Sequence, residues 1–283
     1  MTSTLITTLN EKMQDALLHD FQEHLLPGKA GQYFGRYRGF HLESVFQPLV
    51  AGEGGILGYE ALLRPSLGRT LQVETPFVFR YIEKTGGLVI FDRICRTLHL
   101  LNFLPFSSAR DLLFINVHPA LLSRVDTHGK VFEGIVQSLS VPPGRVVIEL
   151  EESDQEDSPL LDKALRNFRQ SGFKIAVSDF GKERSDFKRL WRISPDFVKL
   201  DNSLLHAAVK DDKARRSLPT LVELIHQSGS VAIVQGVDTP EQLALAEQSG
   251  ARFRQGFCLS RPNSAAYWLK QKNAWHPGQQ AGG

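Results

Sequence analysis

The chain has 283 residues, of which 42% are hydrophobic and 23% charged, with a formal net charge of +2. That balance, without a basic stripe interleaved with aromatics, predicts no nucleic-acid partner. No apolar run reaches the roughly 18 residues that span a bilayer, and the first residues lack a basic segment followed by an apolar core, so no membrane partner and a cytoplasmic location are expected.

Two cysteines, Cys95 and Cys258, are too few and too isolated for a disulfide framework or a Cys-x-x-Cys metal site. They read as small hydrophobes in a reducing compartment. The length suits one large domain, since α/β barrels run to about 250 residues as a single unit.

In chain order, Leu9, Met13, Leu17, Phe21 and Leu25 recur every four residues, with Leu18 and Leu26 widening the stripe until Pro27-Gly28 stops it. This predicts an amphipathic helix within an N-terminal extension over 1–41, packed as a lid on one end of the fold or docking a partner. From about residue 44 short apolar runs alternate with helices, as in parallel β/α units. Eight strands are expected at Ser44–Val50, Gly58–Leu63, Leu112–Val117, Val146–Leu150, Lys174–Val177, Phe197–Leu200, Ala232–Val234 and Arg252–Gly256. Thr75-Pro76 and Ser158-Pro159 read as helix caps followed by proline at the first helical position. Leu161, Leu165 and Phe168 share a face before Gly172, and Thr239-Pro240-Glu241-Gln242 is a capping box. An amphipathic helix is expected over about Leu88 to Phe103. The expected organisation is a (β/α)8 TIM-type barrel over 42–272, with a disordered tail over 273–283.

In such a barrel the strand C-termini face one mouth, where the chemistry sits. Those ends carry Glu60, Asn116, Glu149, Ser178 with Asp179, Lys199 with Asp201, Gln235 with Asp238, and Gln255. Carboxylates and amides inside apolar strands are costly unless paired. A ring of oxygen donors suits hard cations such as Mg²⁺ or Mn²⁺.

The motifs in order are Phe46-Gln47-Pro48-Leu49, Glu60-Ala61-Leu62-Leu63-Arg64, Asp92-Arg93 and Phe114-Ile115-Asn116-Val117, then Glu149-Leu150-Glu151-Glu152-Ser153 and Asp179-Phe180-Gly181. Lys199-Leu200-Asp201, Gln255-Gly256-Phe257 and Ser260-Arg261-Pro262 complete the set. Over roughly residues 44–262 the chain resembles an EAL domain, the barrel of cyclic-di-GMP phosphodiesterases. The resemblance implies a reaction in which two divalent metals bind a phosphodiester and activate water, opening cyclic-di-GMP to the linear dinucleotide. It implies metal ligands at Glu60, Asn116, Glu149 and Asp179, a catalytic role for Glu60, and Lys199 as the group that orients or deprotonates the water. It implies nucleotide contacts by Gln47, Arg64, Asp179, Asp201, Gln255 and Arg261, the guanidinium fork of Arg64 suiting phosphate.

The sequence departs from active members at two of their carboxylates. Where they carry Asp-Asp-Phe-Gly and Glu-Gly-Val-Glu, this chain reads Ser178-Asp179-Phe180-Gly181 and Gln235-Gly236-Val237-Asp238, and the stretch after Gly181 reads Lys182-Glu183-Arg184-Ser185. Glu60, Glu149 and Asp179 are then the anions left to face two dications, which about 4 Å apart repel by roughly 17 kcal/mol at an effective dielectric of 20. The expectation is a catalytically degenerate domain, Lys199 being a vestigial base paired with Glu60 or Asp179. It requires no cofactor and holds Mg²⁺ or Mn²⁺ only weakly. It regulates as a cyclic-di-GMP receptor, or through a protein partner or second copy of itself. An active phosphodiesterase with an unusual ligand set is the alternative.

Overall fold

A strand whose two faces are both covered reads as a nearly continuous apolar run, and the eight expected runs are all strands. The computed structural model describes residues 24–271 apart from 53, 123–127, 152–158 and 183–184, together with Thr7 and Leu9. Most of the expected N-terminal helix, the Ser158 cap and the 273–283 tail lie outside the described residues.

In chain order the strands are β1 (Leu25–Pro27), β2 (Tyr33–Tyr37), β3 (Phe40–Ala51), β4 (Ile56–Leu67), β5 (Leu71–Gln72) and β6 (Leu112–Val117). They continue as β7 (Val146–Glu151), β8 (Lys174–Phe180), β9 (Phe197–Leu200), β10 (Val231–Val234), β11 (Phe253–Arg254) and β12 (Asn263–Ser264). Neighbours run β3-β11-β10-β9-β8-β7-β6-β4, and pairing of β3 with β4 closes an eight-stranded barrel. Helices follow the strands and pack outside.

The period of two within each strand divides the core. Leu49, Phe114, Val147, Ala176, Phe197 and Ile233 form a layer inside the barrel. The alternate residues, such as Ile115, Ile148, Ile175 and Val198, join the larger cluster beneath the helices.

Two expectations are corrected. The barrel is not all parallel, because β3 runs antiparallel to both β4 and β11. Only four residues separate β3 from β4, too few for the crossover a parallel pair needs. Leu25 and Leu26 are not the end of a helix but lie in β1, paired antiparallel with Gly35 and Phe34 of β2. There Pro27-Gly28 opens a turn between strands, and the four-residue spacing of leucines ends before it.

The capping box at Thr239 and Gln242 is present, and Leu161, Leu165 and Phe168 are buried on one face of the Pro159–Gln170 helix. Thr75, by contrast, is the first helical residue, and its hydroxyl donates to the Leu63 carbonyl. Asn102 on the Leu88–Phe103 helix bonds both the N–H and the carbonyl of Tyr33, tying β2 to the barrel wall.

Two glycines, Gly256 of the Gln255-Gly256-Phe257 motif and Gly58 at the start of the expected second strand, are required by close backbone approach. A Cβ on Gly256 would stand 2.2 Å from the Val237 carbonyl oxygen, and one on Gly58 would stand 2.1 Å from that of Leu112 in the neighbouring strand β6. Gly58→Ala must therefore part β4 from β6 just below Glu60. We expect a loss of at least about 3 kcal/mol, measured by denaturant unfolding; a loss below about 1 kcal/mol would show that the strands part freely.

Candidate functional site at the barrel mouth

The mouth residues stand one pleat above the interior apolar layer. Two residues beyond Phe114, Val147, Ala176, Phe197, Ile233 and Phe253 come Asn116, Glu149, Ser178, Lys199, Gln235 and Gln255. On the antiparallel β3 the order reverses, and Gln47 precedes Leu49, opposite Glu60. One register rule thus delivers seven side chains from seven strands to one end of the barrel, and Glu60 on β4 joins them.

Lys199 is fully buried, and its ammonium donates to Glu60 at 2.7 Å and to both oxygens of Glu149 at 2.8 and 3.0 Å. Glu60 also accepts from Asn116 at 3.0 Å and from Gln255 at 2.7 Å. Gln255 donates as well to Gln47, which in turn donates to the Ser260 carbonyl. The expected lysine–Glu60 pair is present, and the second partner is Glu149 rather than Asp179.

The two carboxylates respond oppositely to this enclosure. Burial, the Glu60 charge and Asp179 outweigh Lys199 at Glu149, whose pKa is pushed up to about 7. Burial also opposes ionisation of Glu60, but Lys199 and the hydrogen bonds from Asn116 and Gln255 prevail and hold its pKa below the usual carboxylate value. The ammonium stays protonated because these two anions overcome desolvation and raise its pKa. The three groups form one hydrogen-bonded unit, whose net charge is −1 only when Glu149 is ionised.

The remaining expected site residues are more peripheral. Ser178 is buried, its hydroxyl 3.5 Å from the Leu150 carbonyl. Asp179 follows at a bulge in β8 with φ 57, partly exposed, with Lys182 at 3.9 Å. Burial first, then Asp201 and Glu60, raise its carboxyl pKa against Lys182 and Lys199. Asp201 caps the Asn202–Lys210 helix by accepting from the Ser203 N–H at 2.9 Å. Asp238 accepts from the Phe257 N–H. Arg261 is exposed and lies over the Phe257 ring, 4.7 Å from its centroid. Gln235 is half-buried at the end of β10.

Arg64 projects beyond Glu60 on β4 and borders a cavity of about 560 Å³ that also meets Asn116 and Glu151. The cavity's outer wall carries Phe79, Arg80 and His118, which the sequence reading missed; the Phe79 and His118 rings stack 5.4 Å apart. The available signal for Phe79 and Arg80 was the helix opening at Thr75-Pro76, and that for His118 was its place just after the strand that carries Asn116.

Comparison with known proteins places this geometry. The EAL domain profile matches residues 36–262. The chain is similar to cyclic di-GMP phosphodiesterase RocR of Pseudomonas aeruginosa, at 27% identity over 278 residues, covering 94% of this chain and 68% of that protein. It is also similar to the PaMucR phosphodiesterase in its c-di-GMP complex, with TM-score 0.69 and 25% identity, covering 81% of this chain and 94% of that one. The manganese/cy-diGMP complex of Klebsiella pneumoniae BlrP1 shares the fold, with TM-score 0.71 and 22% identity, covering 93% of this chain and 66% of that one. The chain spans between 30% and 68% of the length of three curated relatives that it matches. Among the described residues no helix is long and apolar enough to cross a membrane. With the profile covering most of its length and a closed barrel presenting Glu60-Ala61-Leu62 on the second barrel strand, the chain belongs to the EAL domain family.

Proposed function

We propose that this EAL domain is a catalytically silent binding module of bacterial signalling, taking cyclic-di-GMP at the barrel mouth without hydrolysing it. The donor set carries this reading. Ser178 and Gln235 stand where the resemblance leads one to expect anions, and the two buried carboxylates, Glu60 and Glu149, share the Lys199 ammonium. Among the described residues no three His, Cys, Asp or Glu side chains form a group suited to a metal ion. A bridging pair of dications needs several convergent carboxylates to offset its own repulsion. The residues present do not fit such a pair.

Ligand uptake is supported by the other side of the mouth. Arg64 and Arg80 border a cavity of about 560 Å³, within the size range of small-molecule sites, and guanidinium forks suit phosphate oxygens. Structural relatives named as cyclic-di-GMP complexes favour that nucleotide as the occupant.

Isothermal titration with cyclic-di-GMP is expected to give saturable binding that changes less than about threefold between Mg²⁺ and EDTA, while chromatography finds no linear dinucleotide in Mg²⁺ or Mn²⁺. Turnover by the parent chain that vanishes in Glu60→Ala would establish the active phosphodiesterase instead. Absence of binding up to about 100 μM would remove the nucleotide and leave docking to a protein partner or a second copy.

A further inference from the structure

A second basic hollow lies outside the mouth. Its volume is about 540 Å³, and its walls come from the two turns that join β2 to β3 and β4 to β5, with His24 below. None of Glu60, Glu149, Lys199 or Arg64 lines it. Its cations are Arg36 and Arg38 together with Arg69, some thirty residues further along the chain, which the adjoining hairpins bring together.

These arginines are held in place. The Arg36 and Arg69 guanidinium carbons lie 5.5 and 4.9 Å from the centroid of the one Phe34 ring, which also meets the His41 ring at 4.7 Å. Arg38 donates to the carbonyl and the hydroxyl of Thr85, at 3.1 and 2.7 Å. Among the described residues none of the three pairs with a carboxylate, and the nearby Glu43 is engaged by His41 at 3.0 Å. Both turns place an arginine in the left-handed region, Arg38 at φ 47 and Arg69 at φ 68, where asparagine or glycine fits at lower cost. Each sits beside a glycine, Gly39 and Gly68, above which a Cβ would meet open space. A backbone strained twice to present the same side-chain type to one hollow calls for a role for that side chain.

We propose that this hollow is a binding site for a small phosphate-bearing ligand of the nucleotide or pyrophosphate class. Three guanidinium groups that pair with no carboxylate among the described residues match a ligand of two or more negative charges. The forks of Arg36 and Arg69 are suited to phosphate oxygens, and Arg38, held by Thr85, adds its charge. The bare glycines let the ligand reach the turn backbone. A nucleic-acid strand or a bilayer calls for cations spread along a track or plane, whereas these converge on one concavity of small-ligand size.

The test is isothermal titration of the full chain with inorganic pyrophosphate and, separately, with ATP, in the parent and in Arg36→Gln/Arg69→Gln. Both changed residues are exposed, and a thermal melt checks that the double variant is folded. We expect one saturable site, weakened at least tenfold in the double variant and weakened by salt. A folded double variant that binds like the parent overturns the proposal, as does a parent that takes up neither probe at millimolar concentration. If Arg64→Gln abolishes the binding and the double variant does not, the anion sits at the barrel mouth and the proposal falls. Binding to an oligonucleotide or to anionic phosphatidylglycerol vesicles that pyrophosphate does not displace would likewise replace the small ligand by a macromolecular surface.

Discussion

Lys199→Met is expected to destabilise the fold by about 3–5 kcal/mol, a fall in melting temperature on the order of 10 °C for a chain of this size. The side chain is fully buried, and methionine fills a similar volume, so packing is nearly conserved. What is lost is the one cation between Glu60 and Glu149. Breaking a buried ion cluster by removing one partner leaves uncompensated charge, which is far costlier than never having built the cluster.

The pH dependence of that loss is fixed in sign. In the parent chain Glu60, with its pKa lowered, contributes stability that is present above its unfolded value of 4.5 and lost as pH falls through its folded value. Lys199, with its pKa raised, contributes stability that is present below its unfolded value of 10.5 and lost only above it. Glu149 behaves oppositely to Glu60. Raised to about 7, chiefly by burial, it makes the fold less stable as pH climbs from 4.5 through its folded value. Removing the ammonium deepens this term, because the carboxylates then escape charge only by holding protons. The deficit of Lys199→Met should therefore be larger at about pH 8 than at about pH 5, and Glu149→Gln added to it should recover part of the loss at the higher pH. Equal deficits at both pH values in denaturant unfolding would show that the cluster is not an electrostatic unit.

The barrel was legible because its signal is redundant. Runs such as Val146-Val147-Ile148 and Phe197-Val198 are apolar on both faces, and a polar residue at the end of each run can face only the mouth. Legibility failed where the decisive partner is distant in sequence. Nothing near Leu25 announces that it will pair with Gly35 rather than continue a helix, because a four-residue leucine spacing and a short strand before Pro27-Gly28 look alike over one turn. The antiparallel course of β3 was readable from the seven residues between the expected strands ending at Val50 and starting at Gly58, too few for a parallel crossover. Asp201 announced itself as a helix cap by standing before Asn202-Ser203, a signal the motif resemblance overshadowed. Which carboxylate Lys199 chooses depends on barrel closure, since Glu60 and Glu149 lie 139 and 50 residues away. Scattered arginines became a cleft only when two hairpin turns met.

Ser178→Asp with Gln235→Glu is expected to tighten Mn²⁺ binding at least tenfold, about 1.4 kcal/mol, in a chelator-competition titration. The floor is conservative. One added anion about 4 Å from a dication gains a gross Coulomb energy of roughly 8 kcal/mol at an effective dielectric of 20, before the desolvation of a new carboxylate is subtracted. Ser178 stands in register with Glu151, two residues beyond interior Ala176 on the same face as Glu149, so an aspartate there points toward the buried acid cluster. Without metal the same change crowds like charges around a single ammonium, and the melting temperature in EDTA should drop by several degrees. Mn²⁺ should restore it, because binding to the folded state alone stabilises in proportion to the logarithm of metal concentration over Kd. The two readouts must move together if the missing anions are the reason the mouth cannot hold paired dications. A double variant that melts like the parent in EDTA and binds Mn²⁺ no better would mean that Ser178 and Gln235 lie outside the metal environment. A parent chain that already takes two Mn²⁺ ions tightly would mean that water and Asp179 fill the vacant positions, and the silent reading of this domain would give way to a hydrolytic one.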